Sequence, residues 1–161
     1  MKILCVGLLV IGGATACLGQ GHAAEQPFTV TISIENSTVK ADSAVTIDIN
    51  LKNTSTQQTL TLNGGFDAST PELDMGNQFE VRDDRGQPTP GRERDSRTPL
   101  EMTPLFHTLR PGESFTEHED ISRLYDLRRP GRYVIRVSRV IPKELGKGSV
   151  KSNSITLTVT R

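Results

Sequence analysis

Residues 28–35 read FTVTISIE, a stretch in which apolar and polar side chains alternate at every position. Because successive side chains of a β-strand point to opposite faces, this alternation predicts a strand with one buried and one solvent-exposed face. The same pattern returns in VTIDINL at 45–51 and in ITLTV at 155–159. A helix would scatter these apolar residues around its cylinder, and Thr, Val and Ile all favour strands. The predicted fold class is therefore all-β.

Shorter stretches extend the pattern through the rest of the chain and are separated by turn sequences. They lie at 60–62, 79–81, 106–109, 114–119 and 133–137. Pro111-Gly112 is a turn signal between two of them. No stretch has the length and periodicity of an amphipathic helix that could cover a sheet. An antiparallel β-sandwich of seven or eight strands is therefore the predicted way to bury the apolar faces.

The first two dozen residues have the pattern of a secretory signal peptide. Met1-Lys2 gives a positive start, residues 3–11 (ILCVGLLVI) are apolar, and small residues (GGATA) follow. The apolar run is shorter than the roughly 20 residues that a membrane-spanning helix needs. We therefore expect a signal peptide at 1–24 and one domain without a membrane span at 25–161. The expected destination is the periplasm, the cell surface or the medium.

The leader offers three cleavage positions, of which Ala14-Thr15-Ala16 matches the A-x-A rule. Cleavage after Ala24, or one residue earlier, leaves a domain without cysteine, because Cys5 and Cys17 lie in or beside the leader. Such a disulfide-free domain is stabilised by its hydrophobic core alone. Cleavage after Ala16 would instead make Cys17 the first mature residue and a candidate for a lipid anchor.

Residues 82–99 (RDDRGQPTPGRERDSRTP) interrupt the strand pattern with charges, Pro and Gly. We predict a long, charged, exposed loop. Loops on a rigid scaffold often carry recognition, but a solvated insertion without a role has the same composition. Arginines alternate with acids in this loop, so their charges screen each other and define no anion site.

The segment 109–137 (LRPGESFTEHEDISRLYDLRRPGRYVIRV) resembles immunoglobulin-like domains of exported bacterial proteins. It is similar to the non-catalytic N-terminal module of deuterolysin-type and related metallopeptidases. The matching positions are Pro111, Gly112, Tyr125, Asp126, Leu127, Pro130, Gly131 and Tyr133. The resemblance implies an immunoglobulin-like sandwich. The place of Tyr133 resembles a tyrosine corner, in which the hydroxyl bonds back to nearby backbone, and Ile135 stands where antibody domains carry their second cysteine.

The composition and the motifs argue against catalysis. The chain has 19 basic and 19 acidic residues, so it lacks the strong basic field expected of a nucleic-acid-binding protein. His118-Glu119 begins like H-E-x-x-H but lacks the second histidine, and a nucleophile elbow is also missing. His107 and His118, with Glu117, Glu119 and Asp120, are the one combination with metal-ligating chemistry. A polar strand is the favoured interpretation of them, so we expect no catalytic, cofactor or metal site, no cofactor and no enzyme activity.

The predicted function is that of an exported binding or structural module in the cell envelope or outside the cell. Its partner is a protein, reached through an exposed strand edge, or a glycan, although the absence of Trp disfavours sugars. The resemblance also allows a propeptide-like inhibitor or chaperone of a separate metallopeptidase. Two glycosylation sequons, at Asn36 and Asn53, would matter in a eukaryotic secretory route.

Overall fold

The computed structural model describes residues 26–63, 76–92 and 106–161 of the chain. These residues form mostly β-strand and almost no helix, which confirms the all-β prediction. In chain order the strands are β1 Phe28–Ser33, β2 Thr38–Lys40, β3 Thr46–Asn53, β4 Leu60–Asn63, β5 Asn77–Arg82, β6 Phe106–Leu109, β7 Ser114–Asp120, β8 Gly131–Val140 and β9 Ser149–Thr160. One 3-10 turn, Ile121–Arg123, follows β7. The predicted signal peptide, Cys5 and Cys17 lie outside these residues.

The described strands assemble into three sheets. The first has the order β1-β3-β7, the second β2-β9-β8-β5, and the third is the pair β4-β6. Neighbours are antiparallel except β2, which runs parallel to β9. Eight of the nine described strands coincide with predicted stretches, and β2 is the additional one. No helix in the described ranges is long and apolar enough to span a membrane.

The alternation that predicts the strands also builds the core. On β1 the buried residues are Phe28, Val30 and Ile32, while the residues between them are exposed. The same period holds on β3 and on β8, where Ile49 and Ile135 are fully buried. Residues of all three sheets belong to one hydrophobic cluster. Burying each such aliphatic side chain contributes about 1.5–3 kcal/mol to the stability of the fold, so the core stabilises the domain without a disulfide.

A β-bulge in β9 ties the two larger sheets together. The pairing with β8 slips between Arg136↔Ser154 and Ser138↔Lys151, which leaves one residue too many on β9. The bulge leaves Asn153 facing β1, where its Nδ2 donates to the Ile32 carbonyl at 3.0 Å. Its Oδ1 accepts from the Ile32 N–H at 2.8 Å. One amide side chain therefore satisfies both backbone groups of Ile32, at a strand edge that belongs to the other sheet.

The predicted back-bond of Tyr133 is confirmed. Its hydroxyl donates to the Arg129 carbonyl at 2.7 Å, and its side chain is buried near the start of β8. Burial raises the pKa of the Tyr133 hydroxyl, which moves it further from neutral pH, where the group is already a protonated donor. The bond fixes the entry of the chain into a central strand.

The first half of the predicted charged loop covers the free edge of β5. Residues 83–87 form a tight turn, after which Pro88 pairs with Arg82 and the Thr89 N–H donates to the Val81 carbonyl at 2.8 Å. Gly91 then pairs with Tyr125, so residues 88–92 join β5 to the segment after β7. We call residues 88–92 the edge cover. Most of residues 82–92 are exposed, as predicted, but Thr89 is buried; residues 93–99 lie outside the described part.

Candidate functional site

The outer face of the four-stranded sheet carries a cluster of cations. Alternation along β8 buries Tyr133, Ile135 and Val137 and therefore sends the residues between them to solvent. The strand register adds side chains from β2, β5 and β9. The charged members are Lys40, Glu80, Arg82, Arg132, Arg136 and Lys151, all exposed. We call this surface the basic face; its described residues include five cations and one acid, on a chain whose net charge is zero.

The electrostatics of Glu80 reflect this excess of positive charge. A hydrogen bond from Arg82, and the charge of that guanidinium, hold the pKa of Glu80 below its usual range. Arg136 and Lys151 lower that pKa further through their charges. The single acid of the basic face is therefore ionised at neutral pH and neutralises only part of the surrounding charge.

Two guanidinium groups of the basic face are held in place by the sheet. Arg136 Nε and Nη2 donate to Ser154 Oγ at 3.1 and 2.8 Å. Arg82 Nη1 donates to the Gly86 carbonyl at 2.9 Å. Guanidinium groups that are already oriented lose less conformational entropy when they bind a planar anion such as a carboxylate.

An apolar side chain stands in the middle of the basic face. Val134 lies between Arg132 and Arg136 on β8, and the register places Thr156 and Arg82 beside it. At 42% exposure it is the one large hydrophobic side chain exposed among the residues that the structure describes. The basic face thus combines an apolar centre with a charged surround.

The outer face of the β1-β3-β7 sheet has a different character. Its charged side chains are Asp48, Lys52, His118 and Asp120, which nearly balance. His118 Nδ1 lies 2.7 Å from Asp48 Oδ1 across the two strands, and both side chains are exposed. The positive excess of the basic face is therefore not repeated on the outer face of the β1-β3-β7 sheet.

The residues with metal-ligating chemistry do not converge. Alternation along β7 places His118 and Asp120 on the outer face, and Glu117 and Glu119 on the opposite face. His107 on β6 stacks on Phe115, with ring centroids 3.6 Å apart. No three His, Cys, Asp or Glu side chains within 26–63, 76–92 and 106–161 form a group that could hold a metal ion.

A buried ion pair joins the two larger sheets. Arg139 on β8, 2% exposed, places Nη1 3.4 Å from Glu117 Oε1 on β7 and 3.1 Å from Asn77 Oδ1 on β5. The Asn77 amide in turn donates to Glu117 Oε2. Desolvation lowers the pKa of Arg139, and the nearby Glu117 carboxylate opposes that shift. Arg139 is buried, Glu117 and Asn77 are partly buried, and the three side chains are bonded to each other, so they connect strands of the two sheets.

The two sequons lie in opposite environments. Asn36 is exposed in the turn before β2. Asn53 is fully buried, and its Nδ2 donates to the Gln58 and Leu109 carbonyls at 2.8 and 2.9 Å. An amide nitrogen with both hydrogens engaged inside the core is inaccessible in the folded domain, and a glycan on it would be incompatible with this packing.

The basic face is the feature that the sequence interpretation missed. One signal for it was available, because Arg132, Val134 and Arg136 alternate with the apolar residues that predict β8. No protein-family model matches the chain, and no curated protein matches it. The resemblance to the N-terminal module of deuterolysin-type metallopeptidases therefore stays a prediction.

Proposed function

We propose that this chain is an exported, non-catalytic binding module with an immunoglobulin-like fold, and that it binds an anionic partner through the basic face. The pattern of residues 1–24 supports export to the periplasm, the cell surface or the medium. The contacts of His107 with Phe115, of His118 with Asp48 and of Glu117 with Arg139 support a role without catalysis.

Strand order supports the immunoglobulin-like assignment. Such sandwiches place strands A, B and E in one sheet and strands G, F and C in the other. The orders β1-β3-β7 and β9-β8-β5 match these two sets. The back-bonded Tyr133 stands at the start of β8, which corresponds to strand F, where the tyrosine corner occurs. The parallel β2 and the pair β4-β6 are additions to this common part.

The observation that carries the binding proposal is the concentration of positive charge on the basic face. Like charges on neighbouring strands repel each other and cost stability. A chain without net charge has as many acids as bases, yet Glu80 is the single acid on this face among the residues that the structure describes. Maintaining such repulsion is expected where an anionic partner neutralises it.

A polyanion panel tests the proposal on protein purified after expression of the full chain. Poly-L-glutamate, dextran sulfate and phosphatidylglycerol vesicles are titrated separately at low and physiological salt. The double variant Arg132→Ser/Arg136→Ser removes two charges of the basic face. The matched control Arg110→Ser/Arg123→Ser removes two exposed arginines elsewhere.

We expect at least one polyanion to bind, with an affinity that falls as salt rises, because exposed charges are screened. The basic-face variant should weaken binding roughly tenfold, and the control should change it little. Equal losses in both variants, or no binding to any of the three polyanions, would refute the proposal.

A further inference from the structure

We infer that the partner of the basic face is an acidic protein surface that presents apolar side chains beside its carboxylates. This inference rests on the proposed function and names the partner's chemistry. A sulfated glycan and an anionic membrane are the competing occupants, and the experiment below separates them.

The apolar centre favours a protein. Protein interfaces combine a water-excluded apolar centre with a polar rim. Val134 supplies such a centre, and the guanidinium groups of Arg132, Arg136 and Arg82 surround it. A guanidinium pairs with a carboxylate through two parallel hydrogen bonds, which suits Asp and Glu side chains. A uniformly charged polymer would make no apolar contact with an exposed valine at this position.

The remaining side chains of the basic face disfavour the two other occupants. The outward positions of β2, β5, β8 and β9 carry no Trp, Tyr or Phe on which a sugar ring could stack. A lipid surface is usually held by apolar side chains that enter the boundary between headgroups and acyl chains. Within the described sheet face, Val134 is the one exposed large apolar group, and its neighbours across the strands are Arg82 and Thr156.

The closed edge of β5 restricts how the partner docks. The Val81 carbonyl accepts from the edge cover, and the Phe79 carbonyl accepts from the Tyr125 hydroxyl at 2.9 Å. Because these acceptors are occupied, adding a partner strand at this edge would require displacing bonds already made. Strand addition at the β5 edge is therefore disfavoured, which favours docking on the basic face.

The dimensions of the face predict a transient contact. Four strands about 4.8 Å apart and about seven residues long give a face of roughly 400 Å². A stable complex commonly buries about 800 Å² on each partner. An affinity in the range of weak, salt-sensitive encounters is therefore expected.

Two peptides of equal charge test the inference. One alternates Glu and Val and the other alternates Glu and Ser, each eight residues long and labelled for fluorescence anisotropy. The unaltered protein should bind the Glu/Val peptide roughly fivefold more tightly, because Val134 buries an apolar partner. In Val134→Thr that preference should disappear while Glu/Ser binding is retained. Val134 is exposed, so this strand-compatible change leaves the fold intact, which circular dichroism checks.

The outcomes separate the inference from the proposed function. Equal affinities for both peptides, unaffected by Val134→Thr, would overturn the inference. The proposed function would still stand in that case if Arg132→Ser/Arg136→Ser weakened binding. Tighter binding of dextran sulfate or phosphatidylglycerol vesicles than of either peptide would also overturn it, in favour of a glycan or a membrane. If Arg132→Ser/Arg136→Ser changed the binding of none of these ligands, the proposed function would be refuted as well.

Discussion

Replacing Asn53 with Ala should destabilise the domain more than any change to an exposed polar residue of the same strand. Asn53 ends β3 and is fully buried. Its Nδ2 donates to the carbonyls of Gln58 and Leu109, and its Oδ1 accepts from the Ser55 N–H at 3.0 Å. The side chain thus connects β3, the loop that follows it and the end of β6.

The magnitude follows from these three bonds. A buried hydrogen bond contributes about 1 kcal/mol net, and a buried group left without a partner costs about 1–3 kcal/mol. The Leu109 carbonyl is the most deeply buried of the three partners, whereas water can reach the loop. We therefore expect Asn53→Ala to lower the free energy of unfolding by about 3 kcal/mol.

Asn53→Asp is a sharper test of the same geometry. A carboxylate at this position would face two carbonyl oxygens and would lose both donors. The pKa of the new acid should therefore rise in the folded state, and the variant should regain stability as the pH falls and the group becomes protonated. An Asn53→Asp domain that is more stable at pH 7 than at pH 4.5 would contradict the described hydrogen bonds.

Urea denaturation followed by far-ultraviolet circular dichroism measures these effects, since the chain contains no Trp. Asn50→Ala is the matched control, because Asn50 lies on the same strand and makes one exposed bond to Thr116 Oγ1. That control should lose less than about 1 kcal/mol. If Asn53→Ala and Asn50→Ala shift the midpoint equally, the buried amide does not stabilise the fold as reasoned.

Three further predictions concern other polar contacts. Tyr133→Phe should lower stability by about 1 kcal/mol or more, and an unchanged urea midpoint would exclude a stabilising corner. Glu117→Gln, which breaks a largely buried ion pair, should cost about 3 kcal/mol, whereas Glu80→Gln in an exposed pair should cost much less; equal costs would refute the distinction. The Asp126 carboxyl should titrate by NMR with a pKa of about 2, lowered mainly by the hydrogen bond from Arg128. Its small contribution to stability is therefore present above about pH 4 and lost as the pH falls towards 2, and a midpoint near 4 would argue against that bond.

The strands that form the core could be predicted because their burial is regular. Phe28 to Ile34 and Val45 to Leu51 alternate without interruption, so the pattern alone indicates which side chains are buried. Thr38–Lys40 is too short to show a period, and its pairing with β9 depends on tertiary contacts. Residues 149–154 escaped prediction because the bulge at Asn153 breaks the alternation in the middle of β9.

The candidate site depends on pairing between distant strands, which the sequence does not state. Arg132 and Arg136 are close in sequence, but Arg82 and Lys151 reach the same face only through the register of β5 and β9 with β8. The candidate metal ligands show the converse, because residues that are adjacent in sequence can lie on opposite faces of a sheet. His118 and Glu119 are adjacent in sequence, yet strand alternation points them in opposite directions.

The interior position of β9 has a consequence for folding. This strand lies between β2 and β8, and its Asn153 bonds to Ile32 across 121 residues of sequence. Contacts of such long range close slowly, because the intervening polypeptide must first be brought together. We therefore expect the domain to refold slowly for its size, with its two larger sheets joining late in the reaction.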